Sequence, residues 1–214
     1  NTLQYGISWA RIAPERGHFD EGALRHYEAV FRAMGARAIA PICVLQEHSL
    51  PAWFSKMGAW EHPEAPDCFL AFVTRVYEAF GTHCDCWIPH FEPLLWLAMA
   101  YGEQRWPPPQ HRKRRAIALA GLARAHQEVW TFLKRADEGN RVGISIYAPH
   151  VYPLDPHSPW DHRIQARTTH HLLQSYPTLL GTSNGGSAPY CFIALSSPGT
   201  VGVHVAPLRP RNGF

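Results

Sequence analysis

Charge is scarce in this chain of 214 residues: Asp, Glu, Lys and Arg together make up 17% of it. With 46% hydrophobic residues it reads as a globular protein, not as a disordered or repetitive one. A formal net charge of +3 is too mild to imply a nucleic-acid partner, because phosphate binding needs concentrated basic surface. No apolar run approaches the ~20 residues of a membrane span, and no signal-peptide pattern opens the chain, so no membrane partner is expected either. The five cysteines (Cys43, Cys68, Cys84, Cys86, Cys191) are odd in number and irregularly spaced. They suggest no disulfide framework, and a reducing, cytoplasmic compartment is the simpler expectation. There is no initiator Met; Asn1-Thr2-Leu3 leads straight into an apolar strand, as in a piece of something longer. Acidic residues are missing altogether after Ile164, and residues 181–214 are rich in Gly, Ser and Pro. Only Tyr190 to Leu195 offers a strand there, so residues 166–214 are expected to be a divergent, poorly structured tail on a domain of residues 1–165.

What the chain does have is aromatics: eight Trp, eight Tyr and ten Phe, enough for a heavy core or a sugar-stacking cleft. Strand and helix patterns alternate through the first 150 or so residues. Leu3 to Trp9 reads as a strand. Asp20 then caps a helix carrying Leu24, Tyr27, Phe31 and Met34 at helical spacing. Ala38 to Leu45 is apolar throughout, as suits a strand covered on both faces. A helix with Phe69, Phe72, Val73, Val76 and Phe80 follows, with Gly81 at its C-cap. Cys84 to Phe91 is the third strand, about Arg114 to Ala136 a long helix, and Arg141 to Tyr147 the fourth strand. This grammar predicts an α/β fold: a parallel sheet with helical crossovers, four strands of an eight-stranded barrel.

Within that order Trp87-Ile88-Pro89-His90-Phe91-Glu92-Pro93 stands out. Glu92 ends an apolar strand just before a proline, and strand C-termini face the active-site mouth in parallel α/β proteins. It is a candidate proton donor, or else a solvated carboxylate at a strand–loop junction. His83-Cys84-Asp85-Cys86 has no second Cys pair at zinc spacing, so two small buried residues are expected and no metal. The basic run His111 to Arg115 is expected to be a solvated loop–helix junction. The pair His170-His171 receives no role. Trp53, Trp60, Trp96 and Trp106 fall on mouth-side loops, as sugar platforms or as rim packing.

Four segments resemble glycoside hydrolase family 1, the β-glucosidase family. Ile7-Ser8-Trp9-Ala10-Arg11-Ile12-Ala13-Pro14 is similar to its ISWSRIFP segment, Gly58-Ala59-Trp60 to its GGW turn, Trp87 to Pro93 to W-I-T-x-N-E-P, and Val142 to Pro153 to VGI…VYP. The resemblance covers roughly residues 3–165, strands two to five of the family's barrel. It implies a partial (β/α)8 barrel of a retaining glycosidase acting on small β-glycosides or oligosaccharides without a cofactor. Glu92 would be the general acid/base, and Arg11 would orient the nucleophile. Such chemistry needs one protonated carboxyl and one ionised carboxylate about 5–5.5 Å apart, with the acid's pKa raised by burial or a neighbouring charge.

The chain also departs from the family. The nucleophilic Glu of its seventh strand has no counterpart here, so the chain is expected to be impaired or inactive, or at most a carbohydrate-binding or interaction module. Phe91 stands where the family has a sugar-binding Asn, and Pro89 where it has Thr. Anchored on Leu50-Pro51, the family's sugar-binding His falls on Glu47; a shift of one residue brings His48 there instead. Glu47, His48, Phe91 and Trp60 are thus the candidate sugar contacts. Open sheet edges make a complementing chain, or self-association, a further expected partner.

Overall fold

The computed structural model describes residues 1–106, 112–147, 151–173 and 191–195. Five strands form one sheet in the order β1 (Thr2–Gly6), β2 (Ala40–Gln46), β3 (Cys86–His90), β4 (Arg141–Tyr147) and β5 (Cys191–Leu195). Every neighbouring pair is parallel. Between them run α1 (Trp9–Ile12), α2 (Glu21–Gly35), α3 (Ala52–Lys56), α4 (Ala65–Phe80), α5 (Pro93–Leu97), α6 (Arg115–Ala136) and α7 (Pro159–Leu173). Parallel neighbours require crossovers, and the helices supply them.

Local chemistry explains the boundaries. Asp20 caps α2, its carboxylate accepting from the Ala23 N–H at 2.8 Å. Gly81 does end α4, but its φ of −56° is ordinary right-handed backbone. The glycine is there for space: a Cβ would lie 2.6 Å from the Tyr77 ring. Gly121, inside α6, makes a tighter fit, since a Cβ there would meet the Trp60 carbonyl oxygen at 2.0 Å. Pro89 does not fray β3. The register pairs Val44 with Ile88 and Gln46 with His90, passing over the proline, and the Phe91 N–H donates to the Gln46 carbonyl at 2.8 Å.

One sheet face packs against the helices. Cys43, Leu45, Trp87, Val142 and Ile144 meet Trp9, Phe31, Phe69, Phe72, Leu122 and Leu133 in one continuous core. Trp87 anchors it by donating its indole N–H to Asn140 Oδ1 at 3.1 Å. A separate cluster holds only Val44 and Ile88, with Ile42 and Phe91 against them. The helical core is therefore nearly complete, whereas the second cluster is small.

Cys84 and Cys86 are both buried, and burial pushes the Cys84 thiol up to about 12. Among the described residues no group of three or more His, Cys, Asp or Glu converges as metal ligands would. The basic run is partly engaged: Arg114 pairs with Glu61, whose carboxylate also accepts from the Tyr101 hydroxyl at 2.8 Å. His111 and residues 148–150 lie outside the described residues, as do most of residues 174–214. α7 runs through residue 165, and β5 lies beyond it, parallel to β4.

Candidate active site

Glu92 sits two residues past the end of β3 with φ +47° and ψ +52°, a left-handed conformation that non-glycine residues rarely adopt. Holding it costs of order 1–3 kcal/mol. Pro93 fixes the first helical position of α5, and the Glu92 carbonyl accepts from the Trp96 N–H at 3.1 Å. The strained turn thus hands a strand directly to a helix and turns one side chain aside from both. Only 7% of Glu92 is exposed, and its carboxyl makes no hydrogen bond or ion pair among the described residues. Burial, and then the negative charge of Glu47, raise its pKa above the usual carboxylate value.

Glu47 follows β2 as Glu92 follows β3. It is exposed, and its Oε2 lies 3.4 Å from where a Cβ on Gly6 would be. The Glu47 carboxylate thus lies at ordinary contact distance from the end of β1. His48 comes next, with its ring 5.9 Å from Phe91 and 4.6 Å from Trp106. Its Nδ1 is buried without a partner, and burial lowers its pKa against the opposing pull of Glu47. Phe91 itself packs on Val44 and Ile88. The structure thus brings Glu47, His48, Phe91, Glu92 and Trp106 to one mouth.

Two expected residues go elsewhere. Trp60 is 1% exposed, packed among Trp9, Phe54, Phe69 and His90 at ring distances of 6.1, 5.0, 5.5 and 5.0 Å. A ring sealed this way cannot stack on a sugar. Arg11 is exposed, and its guanidinium stands 5.7 Å over the Tyr27 ring. Its charge is also felt by Asp20, whose pKa is lowered chiefly by the Ala23 N–H. No hydrogen bond or ion pair joins Arg11 to Glu92 among the described residues. Of the other loop tryptophans, Trp96 is buried, and Trp53 donates to the Ala13 carbonyl at 2.9 Å.

Sequence reasoning passed over the layer beneath the mouth. His90 is fully buried, stacked on Phe69 at 4.8 Å, with Nδ1 3.2 Å from Gln46 Oε1 and His126 at 6.1 Å. Burial and His126 drive its pKa well below the usual imidazole value, so it is neutral. Its Nε2 and the Ser145 hydroxyl are buried without hydrogen-bond partners. His90 is the last residue of β3, and that position was the available signal; Ser145 lies two residues before the end of β4. A separate cleft of about 490 Å³, lined by Trp9, Arg16, Trp53, Glu64 and Cys68 among others, does not include Glu92.

The comparisons bear on this geometry. The model of glycosyl hydrolase family 1 matches residues 1–182. The chain is 24% identical over 178 residues to a beta-glucosidase-like SFR2 protein, chloroplastic, of Oryza sativa subsp. japonica, covering 75% of this chain and 28% of that one. It is 24% identical over 177 residues to the cytosolic beta-glucosidase of Homo sapiens, covering 79% of this chain and 38% of that one. The solved beta-glucosidase from Thermotoga maritima in complex with deoxynojirimycin superposes with a TM-score of 0.74 at 22% identity, covering 80% of this chain and 39% of that chain. The chain thus spans well under half the length of these relatives. The structural likeness shows the fold, part of a (β/α)8 barrel.

Proposed function

This chain belongs to glycosyl hydrolase family 1, and on that premise we propose that it carries the proton-donating half of a retaining β-glucosidase site. Glu92 is the general acid/base. The supporting observation is the place of Glu92 just past the end of β3, nine-tenths buried as a residue and with a raised pKa. Such a group holds a proton near the leaving oxygen and gives it up as the glycosidic bond breaks. Its substrate class is a small β-linked glycoside.

The nucleophilic half of the double displacement is proposed to come from outside these 214 residues. Residues 162–214 contain no Asp or Glu to act as nucleophile. Arg11, proposed to orient that nucleophile, lies over Tyr27. Protonation alone forms no glycosyl-enzyme intermediate, so turnover awaits a second carboxylate from outside these residues. Strands supplied at the β1 edge, by another chain or by self-association, would be one source. The buried thiols of Cys43 and Cys84, in no disulfide among the described residues, support a reducing, cytoplasmic setting.

A second reading has its own support. Glu47 and Phe91 stand where the family has a His and an Asn that bind sugar, so the chain is instead a non-catalytic carbohydrate-binding or interaction module. Hydrolysis of an aryl β-glucoside separates the two. Activity that is lost in Glu92→Gln would show a complete catalyst; binding without hydrolysis fits the incomplete site; neither binding nor hydrolysis leaves an interaction module.

A further inference from the structure

The second hollow of the molecule, the cleft of about 490 Å³, shares no lining residue with the mouth. It opens between α1, α3, the first turn of α4 and the loop that leads into α2. Its size lies within the roughly 300–1,000 Å³ of small-molecule sites. Trp9 lines it from the core side: the residue is 2% exposed, and its indole N–H is buried with no acceptor among the described residues. Trp53 and Phe19, both half-buried, add two aromatic walls, with Trp53 edge-on to Trp9 at 6.0 Å. The Trp53 N–H already has the Ala13 carbonyl, so the unserved donor is that of Trp9. Exposed charges on the rim cancel in pairs. Arg16 bonds Glu64, and Asp67 faces Arg124 at 3.6 Å.

We propose that this cleft binds a neutral pyranose sugar, at a site separate from the mouth and independent of any catalysis there. A pyranose offers apolar C–H faces and a belt of hydroxyls. The faces suit the aromatic walls, where apolar area leaves water. Each hydroxyl both donates and accepts. One can therefore accept from the Trp9 indole while others meet the rim, where a single ion pair leaves most guanidinium donors and carboxylate lone pairs unused. A charged ligand is a poorer match, because the rim charges are already compensated by one another. A flat hydrocarbon is poorer too, since it leaves the buried N–H without an acceptor, which costs free energy. Arg16, the cation that lines the cleft, is the main polar contact.

The test is a proton–nitrogen NMR titration of the whole chain near neutral pH, with methyl β-glucoside as the probe and the indole N–H signals assigned. The Trp9 and Trp53 signals are expected to shift and saturate, while Trp106 reports the mouth separately. Arg16→Ala, at an exposed position, should weaken binding at the cleft roughly tenfold, the effect of losing a hydrogen bond to a charged group. Glu138→Gln, on the exposed turn after α6, should leave it unchanged. A response confined to Trp106 would overturn the cleft proposal and leave the glycoside reading of the mouth standing. Shifts of Trp9 and Trp53 with phenol but not with the sugar would overturn it in favour of a plain aromatic pocket. Undiminished binding in Arg16→Ala would overturn the role of the rim, and silence of every indole would overturn the sugar site altogether.

Discussion

Glu47 and Glu92 share the mouth formed by the ends of β2 and β3, and the charge of the exposed residue helps the buried one keep its proton. Their difference in burial separates their chemistry. Burial favours the protonated form of Glu92, as a proton donor requires.

Glu92→Gln is expected to stabilise the protein at neutral pH. A carboxyl whose folded pKa lies above its unfolded value contributes stability below the unfolded value and loses it as pH rises through the folded one. The variant's advantage should therefore be absent near pH ~4 and grow as pH rises. Glu92→Gly should add about 1 kcal/mol more by relieving the left-handed backbone. Melting temperatures of the three proteins across the acid-to-neutral range check both effects.

The buried imidazoles make the fold acid-sensitive. His126 is held at about 4 and His90 well below the usual value, both by burial. Unfolding lets each bind a proton as pH falls below ~6.5, so stability should drop from there toward pH ~4. Urea midpoints at pH ~7 and ~5 should differ clearly, and His126→Leu should shrink the difference. An unchanged acid slope in that variant would show that other groups cause it.

Trp60→Ala should cost roughly 3–5 kcal/mol, as large core truncations do, because its ring touches four core rings. Trp106→Ala should cost far less stability and weaken sugar binding, since its ring lies 4.6 Å from His48 at the mouth. Chemical denaturation and a sugar titration on each variant distinguish the two roles.

Gly121→Ala runs against helix propensity, which alone favours the alanine by about 1 kcal/mol. The clash with the Trp60 carbonyl should reverse the sign, for a net loss on the order of 1–3 kcal/mol. The urea midpoint is the readout.

Much of this was legible in the sequence because period and position carry it. The strand runs, the Asp20 cap and the place of Glu92 at a strand end follow from side-chain spacing and turn chemistry. Trp60 was not legible, because a loop tryptophan looks the same whether its ring faces the mouth or the core; Gly121, which lets α6 press onto that loop, decides it. Arg11 was read from the segment around it, yet its direction depends on Tyr27, distant in sequence. Gly81 was placed rightly for the wrong reason, since only the folded Tyr77 ring shows the lack of space. His90 drew no notice, hidden between a proline and Phe91, although its strand-end position marked it.

The most direct test is a site-resolved NMR titration of the Glu92 carboxyl. Its midpoint should lie above the ordinary Glu value of about 4.3. In Glu47→Gln it should fall part of the way and stay raised, because burial is the larger cause. A midpoint at or below the ordinary value would contradict the assignment of Glu92 as the poised proton donor.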